Sequence, residues 1–241
     1  MKIAIIGGSN GGYAAAADLT IKGHDIFFWQ RSKEITNKLI LQNNYIFSQD
    51  NKGKHKVKIH KICKTLKSAI INCEIVIILL PAFAQREIST KILPFLQSNQ
   101  IVFLSPGSFG SWLFLNKLKN NNIFFAESGT LPYLTRKKNN YTVSITTEAS
   151  KLPTGVYPIS KRPIIINKLK KVYPSIQYCG DLLSAALMNA GPIIHPPLVL
   201  LNAGALEHFS TWDIHNEGTQ KSIKKIIYTL DHERIKIRKK L

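Results

Sequence analysis

Cysteine, arginine and acidic residues are all scarce in this chain of 241 residues, and each shortage excludes something. Cys63, Cys73 and Cys179 are odd in number and show no CxxC spacing. That pattern argues against a disulfide framework or a bound metal and fits a reducing, cytoplasmic setting. Arginine supplies only six of the 33 basic side chains, whereas forked contacts to phosphates and bases favour it. With 14 acidic residues the formal charge is +19, read here as a solvated lysine-rich surface that attracts anionic ligands without specific nucleic-acid binding. The stretch before the first glycine pair is too short for a signal peptide. The apolar run Ile75–Leu80 ends at Pro81, so no membrane span is expected.

What is present alternates. Lys2–Ile6 reads as a buried strand, Tyr13–Leu19 as a helix and Asp25–Trp29 as a second strand. Further strands are expected at Glu74–Leu80, Ile101–Leu104 and Ile123–Ala126, with short strand candidates around Tyr45–Phe47 and Val57–Ile59. Helices are expected near Lys33–Leu41, Gln85–Leu96 and Trp112–Leu118, and Asn120–Asn122 belongs to a loop. Such alternation predicts an α/β chain whose N-terminal domain, residues 1–155, is a Rossmann-type doubly wound parallel sheet. After that the texture turns helical, with helices expected at Pro163–Tyr173, Leu182–Asn189, Pro197–His208 and Ser222–Lys239. Residues 156–241 are therefore expected to form a second, mainly α-helical domain.

Between the first strand and the first helix lies Gly7-Gly8-Ser9-Asn10-Gly11-Gly12. A strand-to-helix turn of this kind needs glycine where a side chain would clash, and the following helix offers backbone N–H groups to a pyrophosphate. Gly7 opens the turn and Gly12 permits close helix–strand packing. Ser9 stands at the middle position, where it is the smallest replacement for glycine. The context, strand before and alanine-rich helix after, makes this a dinucleotide-binding turn for NAD or NADP. The end of the second strand reads Gln30-Arg31-Ser32, without the acid that would accept hydrogen bonds from the adenosine ribose. Arg31 and Ser32 favour a 2′-phosphate, and hence NADP over NAD.

Several blocks together resemble the opine dehydrogenase family, the NAD/NADP octopine/nopaline dehydrogenases. They are the glycine turn, Pro81-Ala82-Phe83-Ala84, Ser105-Pro106-Gly107 and Glu127-Ser128-Gly129-Thr130-Leu131-Pro132-Tyr133. The most specific is Asn189-Ala190-Gly191-Pro192-Ile193-Ile194-His195-Pro196-Pro197, continuing to Asn202-Ala203-Gly204. Glu217-Gly218-Thr219 and Leu230-Asp231-His232-Glu233-Arg234 are similar to later family blocks. The resemblance implies reductive condensation of an amino acid with a 2-oxo acid, using hydride from the nicotinamide. It adds Pro81 to the cofactor-binding set and makes His195 the general acid/base.

Histidine suits that role at neutral pH. Placed just before two prolines, His195 is expected at a helix N-terminus, whose positive end disfavours the imidazolium, so a carboxylate partner is needed. Asn202 falls two helical turns later, either in the same cleft or as a packing amide. Arg136 would attract a substrate carboxylate or simply be exposed, and Thr219 would bind substrate or cap the last helix.

Family members continue well past the position of Leu241, where they carry more helices and the aspartate that partners the histidine. None of Asp181, Asp213 and Asp231 matches that aspartate, so the chain resembles a shortened member. Its second domain is then expected to expose apolar surface or to cover it in a homo-oligomer. Three other readings stay open. One is an oxo- or hydroxy-acid reductase of the ketopantoate or glycerol-3-phosphate dehydrogenase kind, which would need a catalytic lysine in the second domain. Another is an inactive nucleotide-binding remnant. The last is a basic nucleic-acid-binding protein, whose binding would depend steeply on salt.

Overall fold

The runs Ile3–Ile6, Ile75–Ile78 and Ile101–Leu104 have no polar face, so each must be an inner strand covered on both sides. The computed structural model describes residues 1–118 and 122–240, which leaves Asn120 and Asn121 of the expected loop outside the described residues. The chain begins with β1 (Lys2–Ile6), α1 (Asn10–Ile21), β2 (Asp25–Trp29) and α2 (Lys33–Leu41). A hairpin of β3 (Tyr45–Asp50) and β4 (Gly53–Lys58) leads to β5 (Lys61–Cys63) and α3 (Leu66–Ile70). Next come β6 (Ile75–Ile78), α4 (Ala82–Ile92), β7 (Ile101–Leu104), α5 (Trp112–Leu115) and β8 (Phe124–Ser128). They are followed by β9 (Tyr133–Lys137), β10 (Thr142–Glu148), β11 (Leu152–Tyr157), α6 (Arg162–Lys170) and β12 (Ile176–Gly180). The last helices are α7 (Leu182–Leu187), α8 (Gly191–Leu201), α9 (Ala203–His208) and α10 (Lys221–Lys239).

Eight strands form one sheet in the order β12-β11-β8-β7-β6-β1-β2-β5. All neighbouring pairs are parallel except β11 with β8, so the expected Rossmann-type parallel sheet is extended at one edge into a mixed one. From β1 the chain runs outward through α1 to β2, whereas β6 lies on the other side of β1. The order therefore reverses between β1 and β6, which opens a crevice at the carboxyl ends of those two strands.

A second sheet, in the order β4-β3-β10-β9, was not foreseen beyond strand candidates near Tyr45–Phe47 and Val57–Ile59. It packs on the outer side of α1, whose other side lies on the large sheet. That double cover explains why Ala14 to Ala17 are all fully buried and why the helix has no polar face.

The chain divides into two compact units, Met1–Ala186 and Leu187–Leu241. This division falls later than the boundary expected near residue 155. β11 pairs with β8 and β12 with β11, so the stretch read as the start of a helical domain completes the first sheet instead. The second unit is helical as expected. Within the chain, Leu182–Leu201 is long and apolar enough to cross a membrane by length and composition alone. A non-helical break at residues 188–190 interrupts it.

Candidate functional site

The glycine turn sits at the crevice beside β1. Gly7 has φ of +140°, and a Cβ there would lie 2.4 Å from the Leu79 carbonyl oxygen. A Cβ on Gly12 would lie 1.8 Å from the Gly7 carbonyl oxygen, so the first turn of α1 rests directly on the end of β1. On Gly8 a Cβ would meet the Gln30 Oε1 at 2.5 Å. Backbone thus approaches backbone at Gly7 and Gly12, and a buried side chain closes on Gly8.

The same turn leaves donors free. Ser9 occupies the N-cap position of α1, but its hydroxyl donates to the Leu79 carbonyl at 3.4 Å and caps nothing. Asn10 is also diverted, its Oδ1 accepting from the Lys137 N–H at 2.8 Å. An uncapped helix start with no acid in its first turn is a ready anion site. Beside it, Gln30 is 5% exposed and its Nε2 has no hydrogen-bond partner. A dinucleotide fits these features: the turn admits a pyrophosphate, and the orphaned amide supplies a donor near the ribose.

Two cavities meet over the turn. The larger, about 510 Å³, is lined by Gly7, Gly8, Ser9, Arg31, Ser32 and Pro81 among others. The smaller, about 240 Å³, is lined by Asn10, Gly11, Gln85, Ser105, Pro106 and Leu131 among others. Ser9, Leu80 and Pro81 belong to both, so a continuous track crosses the crevice. The structure thus brings together the residues expected to bind cofactor, with Gly12 acting from behind as packing. Ser32 also caps α2, accepting from the Ile35 N–H at 3.3 Å.

Glu127 was not singled out in the sequence for a role of its own. It is fully buried at the end of β8, and among the described residues no cation stands beside it. Its carboxylate accepts from the Phe109 N–H at 2.9 Å, from the Ser111 N–H at 2.6 Å and from the Ser111 hydroxyl. Burial pushes its carboxyl above the ordinary range, and these donors pull it partly back. In this way it holds the loop after β7, whose Ser105, Pro106 and Ser108 wall the smaller cavity. A Cβ on Gly107 would lie 2.2 Å from the Glu127 Oε2, which is why that loop carries glycine there. The available signal was a carboxylate directly after the apolar run Ile123–Ala126.

Arg136 is exposed on β9, opposite Ser144 of β10, and lines neither cavity. The expectation that it meets substrate gains no support from the first unit.

In the second unit α8 begins at Gly191, earlier than expected. The Asn189 Oδ1 accepts from the Gly191 N–H at 3.0 Å, and Pro192 occupies the first turn. His195 therefore stands in the second turn, exposed, and Pro196 and Pro197 lie inside the helix. The argument from a positive helix end does not apply to it. Its ring lies 6.2 Å from that of His215, nearly perpendicular at 78°.

Asn202 is 4% exposed, and its amide is fully engaged. It donates to the carbonyls of Leu198 at 2.8 Å and Gly218 at 3.1 Å, and it accepts from the Trp212 Nε1 at 3.2 Å. Of the two roles considered for it, the structure shows the packing amide. The Thr219 hydroxyl donates to the His215 carbonyl at 2.6 Å; the N-cap of α10 is Gln220, so Thr219 does not cap that helix. Arg234 donates to the Leu187 carbonyl at 2.5 Å and to Asp231.

Residues 178–241 match the family of the NAD/NADP octopine/nopaline dehydrogenase alpha-helical domain, and residues 2–111 match that of the NAD-dependent glycerol-3-phosphate dehydrogenase N-terminus. An opine dehydrogenase of Arthrobacter sp. (strain 1C) is 24% identical over 244 residues, covering 98% of this chain and 67% of that protein. Octopine dehydrogenase with NADH and L-arginine shares the fold at a TM-score of 0.69 and 17% identity, over 88% of this chain and 57% of its own. Yersinopine dehydrogenase with NADP+ bound does so at 0.70 and 17%, over 95% of this chain and 61% of its own. The chain thus spans about two thirds of the curated relative and less of the solved ones. The chain is thus similar in its helical part to the octopine/nopaline dehydrogenase domain, and along nearly all its length to an opine dehydrogenase.

Proposed function

We propose that the protein is an NAD(P)-dependent oxidoreductase of CH–NH bonds that joins an amino acid to a 2-oxo acid, or runs the reverse oxidation. The observation that carries this is the uncapped, glycine-walled track at the β1–β6 crevice, in a chain whose second unit holds the His-Pro-Pro block of the matched helical domain. Relatives solved with NADH and L-arginine or with NADP+ support the same substrate classes.

The start of α1 binds the pyrophosphate, and Gly7, Gly8 and Gly12 keep side chains out of its way. Glu127 fixes the loop that walls the nicotinamide end of the track. His195 protonates the amine nitrogen as the C–N double bond is reduced, and takes the proton back in the reverse direction. A bound reduced nicotinamide supplies the hydride. Cys63 and Cys73 are buried outside any disulfide, and we place the reaction in the cytoplasm.

The test is a fluorescence titration with NADPH and NADH, followed by turnover on amino acids paired with pyruvate or 2-oxoglutarate. His195→Ala should leave nucleotide binding intact and lower kcat by about 10²–10⁴-fold. Failure to bind either nucleotide would refute the proposal. Consumption with an oxo acid alone, without an amine, would instead favour a reductase of the glycerol-3-phosphate or ketopantoate kind, as the match over residues 2–111 allows.

A further inference from the structure

Beyond the dinucleotide track, the end of β2 opens into a third cavity of about 380 Å³. Its wall carries three cations, Arg31, Lys33 and Lys64, and no carboxylate. It shares Trp29, Gln30 and Arg31 with the 510 Å³ cavity, so the two chambers adjoin across the end of β2. Gln30, buried with its Nε2 unpartnered, lines both.

Strand register explains how Lys64 arrives there. β5 pairs with β2 in parallel, with Cys63 beside Trp29. One residue past the end of each strand, Gln30 and Lys64 both line this cavity. Nothing in the linear sequence connects Lys64 with the glycine turn.

Resting on the dinucleotide reading above, we propose that this chamber receives the 2′-phosphate of NADPH, and that Lys64 and Arg31 select NADPH over NADH. In a doubly wound fold the adenosine ribose lies at the end of the second strand, where an acid would favour the free 2′-hydroxyl. Here that place holds an amide donor and two cations, all suited to phosphate oxygens. The nearby acids each pair with a lysine of their own helix, and Arg31 acts on Glu87 only as a weaker, more distant charge. Glu34 on α2 pairs with Lys38, and Glu87 on α4, which lines the neighbouring cavity, pairs with Lys91.

The experiment compares dissociation constants for NADPH, NADH, 2′,5′-ADP and 5′-AMP in the full chain and in Lys64→Ala and Arg31→Ala. Both side chains are exposed, so the variants should fold. The full chain should bind NADPH at least about tenfold more tightly than NADH. Each variant should lose about tenfold for NADPH and 2′,5′-ADP while NADH and 5′-AMP stay nearly unchanged, the size of one charge-assisted hydrogen bond. Equal affinity for the two coenzymes, or equal loss of both in Lys64→Ala, would overturn the assignment while leaving dinucleotide binding in place. Binding of neither coenzyme would overturn both readings.

Discussion

The two units are held together by different means. In Met1–Ala186, strands without a polar face are covered by helices, and side chains from Ile3 to Leu169 are fully buried. In Leu187–Leu241, Leu198 and Ile223 are the buried aliphatic side chains among the described residues. Val199, Leu200 and Leu201 are instead 51%, 73% and 53% exposed, on a helix with no charged residue. Polar clasps do much of the ordering there: Asn202 across α8, Gly218 and Trp212, and Arg234 onto the Leu187 carbonyl. The first unit carries its own core. The second is ordered by hydrogen bonds around apolar surface that it leaves open, as expected for that domain.

The largest effect should come from the tightest packing in the first unit. Gly12→Ala places a Cβ 1.8 Å from the Gly7 carbonyl oxygen, where only backbone movement can relieve the clash. Coenzyme binding should be lost and stability should fall by about 3 kcal/mol or more. Thermal unfolding and the fluorescence titration measure the two. A variant that still bound coenzyme with native affinity would show that α1 can shift without loss, against the close-contact account of the turn.

Legibility followed the same division. The glycine turn and the inner strands could be read because uninterrupted apolar runs have few alternatives, and a turn at residue 7 has a known geometry. The second sheet was harder. β4, Gly-Lys-His-Lys-Val-Lys, has a single buried residue, Val57, so its polar side reads as loop. β11 was lost because Pro153 and Gly155 break its pattern, and with it went the domain boundary. The start of α8 was misplaced because Pro196-Pro197 looks like a first turn. The side-chain bond from Asn189 that starts the helix earlier shows only in three dimensions. Contacts such as Cys63 beside Trp29 depend on strand order, which local pattern does not carry.

Asn202→Ala tests whether the second unit depends on its clasps. It removes two donated bonds and leaves the Trp212 indole N–H without its acceptor, at a cost of about 2–3 kcal/mol. Unfolding should move while KM for the amino acid stays near its original value. A raised KM with unchanged unfolding would return Asn202 to the substrate site.

Glu127→Gln probes the buried carboxylate of the first unit through pH. Because the folded protein raises this group above its ordinary value, its favourable contribution is complete below about pH 4 and is lost as pH rises through the folded value. Glutamine is neutral throughout. It begins at a disadvantage, since its amide cannot accept from both the Phe109 and Ser111 sides. That disadvantage should shrink between pH 4 and pH 7 in denaturant titrations. A gap that widened with pH would mean the three donors hold the carboxylate ionised against its burial.

The smallest effect should appear at Gly204, where the contrast with Gly12 is cleanest. Gly204 lies within α9, and a Cβ there would meet nothing within 4 Å. Alanine at an open helical position limits the unfolded chain and favours the helix, worth about 0.5–1 kcal/mol. Gly204→Ala should therefore raise the unfolding midpoint by about 1–4 °C for a chain of this size, provided this unit unfolds with the rest. The same chemical change then breaks one unit and steadies the other, because one glycine is enclosed by backbone and the other faces open space. A fall in the midpoint, with a change in oligomeric state, would show that another copy of the chain approaches α9 closely and that the exposed leucines beside it are covered in solution.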